Sequence, residues 1–306
     1  MTRRATLIVV LVAAAAAAAA VAVAMRTRST PSAPPAPVSN LAQTALDHRD
    51  FDWDSLPGPN FTLYVMPGSF GAANATDYHR QLEQAIPDAL AMLGESTYPG
   101  HMRVFLVSSR AEVEALTGYG YNGWTDAPSH TFFLVATDVC RPVIRHETMH
   151  LVSLHTWGHP LASEGNPDLP SDRDAFLKGG WLREGIAATA EDRWLTYSYR
   201  GMAAQWQAEN ALLPLDSLTG AFYRQDDLAA YLQAGTLIQY LLATYGIDPF
   251  RQIWRDGPAA FQRAYGKSGT ELEAEWHRWL RATPAADRPK SIAIARAEDK
   301  CPPRQK

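Results

Sequence analysis

The chain lacks an excess of basic charge, repeats and compositional bias, and it has little cysteine. Its formal net charge is −4 over 306 residues, and setting aside Arg3, Arg4, Arg26 and Arg28 lowers it by four to −8. An acidic body argues against a nucleic-acid partner. With 46% hydrophobic and 20% charged residues, the composition excludes collagen, coiled coil and wholesale disorder. No internal repeat is present, so the chain is one large domain or two smaller ones. The two cysteines, Cys140 and Cys301, are an even pair. A bridge between them ties the C-terminal tail to the middle of the chain; two separate thiols are the other reading, and spacing alone does not choose.

Long apolar runs are also scarce, with one exception. After Arg3 and Arg4, the uncharged stretch from Ala5 to Met25 is mostly Ala, Val and Leu. At about 1.5 Å per helical residue it approaches the thickness of a bilayer core. Residues 1–30 therefore read as a membrane-insertion signal. Either it is a secretory peptide cleaved after Ala22-Val23-Ala24, or an anchor retained by Arg26 and Arg28. Both place the body outside the cytoplasm, and an uncleaved segment makes the membrane a partner. Residues 31–59 begin with the proline-rich Pro31 to Pro37 and read as a linker.

Beyond it, Phe61 to Val65, Met102 to Val107 and Thr131 to Val135 are short apolar or β-branched runs expected to form strands. Helical spacing runs from about Thr76 to Leu93, and Ser109 is placed to cap a short helix. The glycine- and aromatic-rich Tyr119 to Trp124 reads as a surface loop or as the lining of a substrate groove. The C-terminal third looks helical, with one long pattern from Leu228 to Tyr245 and a capping box expected at Thr270 to Glu273.

The chemistry sits in Arg145-His146-Glu147-Thr148-Met149-His150-Leu151. Pro142 sits where the first turn of a helix tolerates it, and the apolar residues that follow continue the helix to Gly158. His146 and His150, four apart, share one helical face, while Glu147 projects about 100° away from His146. Two imidazoles can ligate a metal and the carboxylate beside them can act as a base. By itself HExxH is a weak signal. Further on, Glu184 stands in the apolar stretch Trp181-Leu182-Arg183-Glu184-Gly185, where a buried carboxylate calls for a cation or hydrogen-bond partner.

Together these segments resemble the gluzincin zinc metallopeptidases of the peptidase MA-like group, related to the aminopeptidase N and thermolysin families. Trp181-Leu182-Arg183-Glu184-Gly185-Ile186-Ala187-Ala188-Thr189-Ala190-Glu191 is similar to the WLxEGxAxxxE segment of the aminopeptidase N branch. The interval from His150 to Glu184 is longer than in that branch, and loop-like residues 155–180 account for the excess. The resemblance implies His146, His150 and Glu184 as ligands of Zn2+ and Glu147 as general base. It implies Tyr231 as donor to the oxyanion, with Tyr223 the residue most able to replace it. Glu191 matches a further acidic position behind the ligands, accepting a hydrogen bond from a ligand imidazole; a solvated helix-end carboxylate is the competing reading. Cys140 has no place in a set that two histidines and a glutamate complete. His101, His130, His155 and His159 match no ligand position. The metzincin pattern needs a glycine at position 153 and a histidine at 156, where this chain has Ser153 and Thr156.

The expected fold is α+β and zincin-like: a mixed N-terminal lobe with a small sheet and the HExxH helix (60–200), a helical C-terminal lobe (201–283) and a tail (284–306). The expected activity is hydrolysis of peptide or protein substrates outside the cytoplasm. The strand at Thr131 to Val135 is expected to hold the peptide as an added strand. No GxMEN-type segment lies between Met102 and Pro142, which argues against an aminopeptidase. The rivals are a catalytically silent zinc-binding scaffold of the cell envelope and a hydrolase of non-peptide amides.

Overall fold

The computed structural model describes residues 40–162 and 173–301. The signal or anchor assigned to residues 1–30 and the proline-rich start of the linker lie outside the described residues. Among those described, no helix is long and apolar enough to cross a membrane.

Helix α1 (Leu41–Leu46) and strand β1 (Asp54–Pro57) come first, inside the stretch read as linker. Strand β2 (Phe61–Val65) leads through α2 (Ala75–Leu93) to β3 (Met102–Val107), then α3 (Arg110–Thr117), β4 (Gly123–Asp126) and β5 (Thr131–Val135). The sheet order is β1-β2-β3-β5-β4. β2, β3 and β5 run parallel, while β1 and β4 pair antiparallel at the two edges.

Both faces of the central strands are covered, which is why these segments are apolar without interruption. Leu63, Val104, Leu106, Phe132 and Leu134 point into the main core. Phe105, Val107, Phe133 and Val135 join a second cluster with α1, α3 and Cys140. On that second face Tyr64, Phe105 and Phe133 occupy paired positions and stack ring on ring at 4.7 and 4.9 Å. Such cross-strand pairs fix the register, since a slip by one residue sends every ring to the other face.

Helix α4 (Ile144–Trp157) carries the HExxH residues and packs along α2. It ends at Gly158, whose φ of 74° suits glycine. Helix α5 (Arg173–Lys178) precedes α6 (Gly180–Glu191), every residue of which is buried. Fully buried Leu182 and Ile186 contribute about 1.5–3 kcal/mol each. That gain helps to offset the cost of burying Arg183, Glu184 and Glu191 on the same helix.

Helix α7 (Tyr199–Ala208) and the long α8 (Asp227–Tyr245) follow, then α9 (Ile247–Asp256), α10 (Gly269–Arg281) and α11 (Ile292–Glu298). α6 and α8 cross closely at glycines: a Cβ on Gly185 would come within 2.6 Å of Ile238 Cδ1, and one on Gly235 within 2.9 Å of Ala188 Cβ. The Thr189 hydroxyl locks the crossing by donating to the Gly235 carbonyl at 2.9 Å. One apolar core runs from Phe61 on the sheet to Leu280 on α10. The capping box of α10 forms at Ser268 and Glu271, two positions before the expected Thr270.

Candidate metal centre

α4 brings His146 and His150 one turn apart, with their Nε2 atoms 3.1 Å from each other. Glu184 Oε2, delivered by α6, lies 3.5 Å from His146 Nε2 and 3.2 Å from His150 Nε2. All three side chains are buried. Four ligands at zinc bond lengths of about 2.0–2.1 Å stand about 3.3–3.4 Å apart in a tetrahedron. The three edges found here match that figure, so the donor set fits a zinc ion with a fourth position left to solvent or substrate. Among the described residues this is the one cluster of three such donors.

Burial opposes ionisation of Glu184, but the charge on His150, hydrogen bonds from both imidazoles and the charge of Arg183 hold its pKa well below the ordinary value. Burial likewise opposes a proton on His146, yet the hydrogen bond to Glu184 and the charges of Glu147, Glu184 and Glu191 raise its pKa above 6.5.

Glu147 is not among the three donors. Its Oε2 accepts from the Thr125 hydroxyl at 2.6 Å, and its Oε1 lies against Gly123. Both residues belong to β4, so the edge strand runs beside the carboxylate. Thr131 to Val135 therefore does not offer a free edge: β5 is enclosed between β3 and β4, and β4 is the outer strand. The glycine-aromatic stretch from Tyr119 to Trp124 was half informative, because its last two residues open β4.

Tyr231, on α8, sets its ring 6.0 Å from that of His146 at an interplanar angle of 21°. Burial and the charge of Glu184 raise its pKa well above 10, which keeps the hydroxyl protonated. Tyr223 takes a different place: its hydroxyl donates to Glu184 Oε1 at 3.1 Å. Arg183, which sequence reasoning left without a role, reaches both groups, with Nη2 donating to the Tyr223 hydroxyl and Nε 3.5 Å from Glu184 Oε1.

Glu191 is buried, with Arg141 Nη2 at 3.6 Å from its carboxylate. Burial raises its pKa, against the pull of Arg141, the His146 charge and a hydrogen bond from the His146 backbone amide. The remaining histidines are engaged elsewhere. His101 meets the Thr62 hydroxyl at 2.9 Å, and His130 meets the Tyr98 hydroxyl at 2.6 Å. The rings of His130 and His155 stack at 3.8 Å.

Cys140 and Cys301 are joined in a disulfide, with Cα atoms 4.7 Å apart. The bridge fastens the C-terminal tail just ahead of α4.

No family model and no curated protein matches the chain. Solved structures similar to it include native leukotriene A4 hydrolase from Saccharomyces cerevisiae, at 17% identity and a TM-score of 0.40. That match covers 79% of this chain and 41% of the yeast protein. Another is an aminopeptidase N family protein from Idiomarina loihiensis, at 13% identity and a TM-score of 0.37, covering 78% of this chain and 46% of that one. The chain thus spans less than half the length of either protein, and the likeness is remote enough that the reading of the site rests on its own geometry.

Proposed function

We propose that the chain is a zinc-dependent metallopeptidase that cleaves peptide bonds outside the cytoplasm, carried there by its N-terminal segment. The observation that carries the reading is a carboxylate, Glu147, held beside a buried two-histidine, one-glutamate donor set without belonging to it.

His146, His150 and Glu184 would hold a zinc ion, which would supply Lewis acidity toward water and toward a substrate carbonyl. The chain's own residues do the rest. Among the described residues no strand lies beside the outer edge of β4, so an extended peptide can pair with its backbone there. Glu147 takes a proton as the water oxygen bonds to the carbonyl carbon, and passes that proton to the amine as the carbon–nitrogen bond breaks. Thr125 orients the carboxylate for both transfers. Tyr231 donates a hydrogen bond to the developing oxyanion, which its protonated state permits.

The test is Glu147→Gln measured against a panel of peptides with a chelator control. The variant should bind about one zinc per chain and lose hydrolysis by about 10²–10⁴-fold. Equal activity in the two proteins removes Glu147 as the base. Zinc bound by the wild type with no chelator-sensitive cleavage of any peptide favours the silent scaffold instead.

A further inference from the structure

The two oxygens of Glu184 face different ways. Oε2 looks at both imidazoles, whereas Oε1 receives the Tyr223 hydroxyl at 3.1 Å and has Arg183 Nε at 3.5 Å. Arg183 also donates to Tyr223, so the three side chains close a ring of interactions around one oxygen.

A guanidinium is an expensive group to place here. The Arg183 side chain is 7% exposed, on a helix buried along its whole length. Burying a charge costs several kcal/mol unless it is paired and hydrogen-bonded. Consecutive helical residues project about 100° apart, so being next to Glu184 in sequence does not bring the two side chains together. What holds Arg183 over the carboxylate is its bond to Tyr223 and the Phe176 ring, 4.2 Å from the guanidinium carbon. Tyr223 is placed in turn by Gly180, where a Cβ would come within 2.5 Å of the tyrosine ring.

We propose that Arg183 and Tyr223 are positioning residues that keep Glu184 Oε1 engaged, so that Glu184 serves the metal through one oxygen alone. This rests on the zinc reading above. A carboxylate can bind a cation through one or both oxygens, and a second oxygen from Glu184 takes up room that an attacking water needs. The clamp keeps that room open and fixes the direction of Oε2.

The experiment compares zinc affinity, by competition with a chelator, and the visible spectrum of the cobalt(II)-loaded protein. The proteins are wild type, Tyr223→Phe, Arg183→Met and Arg183→Lys. Tyr223→Phe keeps the ring over Gly180 and tests the bond with the least risk to folding. It should weaken zinc binding about 10–100-fold. Its cobalt bands should weaken as a further oxygen joins the ion. Arg183→Met should do the same, and Arg183→Lys, which keeps the charge, should recover part of the loss.

Folded Tyr223→Phe and Arg183→Met proteins with wild-type zinc affinity and cobalt spectra overturn the proposal. So does a lower thermal midpoint of the metal-free protein with metal properties unchanged, since that marks a role in packing only. A wild type that binds zinc but cleaves no peptide removes the peptidase reading and leaves the clamp to its own result. A wild type that takes up no zinc removes both.

Discussion

Alanine at position 123 puts a methyl group where the Glu147 carboxylate, the proposed base, now sits. A Cβ there falls 2.3 Å from Glu147 Oε1 and 2.9 Å from its Cδ, with Leu134 Cδ2 at 3.2 Å behind. A carbon and a carbonyl-type oxygen approach to about 3.3 Å, so the carboxylate must move by about 1 Å. It cannot move that far and keep its 2.6 Å bond from Thr125, which lies on the same strand. A misplacement of about 1 Å costs on the order of 10²-fold in rate, equivalent to about 2.7 kcal/mol of transition-state stabilisation. None of the three metal donors is touched, so zinc affinity should stay at the wild-type value. The backbone at Gly123 lies outside the left-handed region, and alanine in a strand is favoured over glycine by about 0.5–1 kcal/mol. Activity should therefore fall while the thermal midpoint holds or rises. The assay is kcat/KM on a peptide that the wild type cleaves, with a zinc titration and a melt on the same preparation. A Gly123→Ala protein with wild-type kcat/KM refutes the placement of Glu147 beside the reacting groups.

Opening the Cys140–Cys301 bridge, by reductant or by paired serine substitution, frees a loop of 161 residues and should lower stability by up to about 5 kcal/mol on chain-entropy grounds. Denaturant midpoints with and without reductant measure it. Gly235→Val should cost about 1–3 kcal/mol by forcing α6 and α8 apart, and should weaken zinc binding along with it, because α6 carries Glu184. Burial, with the neighbouring charges of His155 and Arg103, lowers the His130 pKa from 6.5 to about 4. The unfolded chain then takes up a proton that the folded one refuses, so stability should fall as pH drops from 6.5 toward 4. His130→Asn, which tolerates the φ of 52° at this position, should flatten that slope in denaturation series across the window.

The site was legible where residue type and spacing dictate geometry. The histidines four apart on an apolar helix could meet only on one face, and the buried setting of Glu184 demanded a partner, which the imidazoles supply. What escaped were contacts set by chain crossings. Thr125 and Gly123 reach Glu147 because β4 folds back antiparallel on β5, and nothing in a four-residue Gly-Trp-Thr-Asp run announces a strand. The same holds for Asp54–Pro57, an edge strand defined by its pairing with β2 rather than by alternation; its proline is tolerated at an edge. Arg183 was visible in the motif but silent, since its role depends on Tyr223, which a separate turn of chain brings in. The tail, fastened through Cys301, also carries a short helix. Ser291 caps α11, and Ile292 and Ala295 are buried in a cluster with α7 and α8.

Cys140 stands just ahead of α4, and its partner sulfur belongs to a residue 161 positions later. Cys301 also accepts a hydrogen bond from Asn122, the residue before Gly123, so one sulfur touches the approach to α4 and the approach to β4. During synthesis neither approach can be fastened until position 301 has left the ribosome and met an oxidant. A nascent chain can form its helices early, but the two strips of backbone leading to His146 and to Gly123 are tied together only once residue 301 is available.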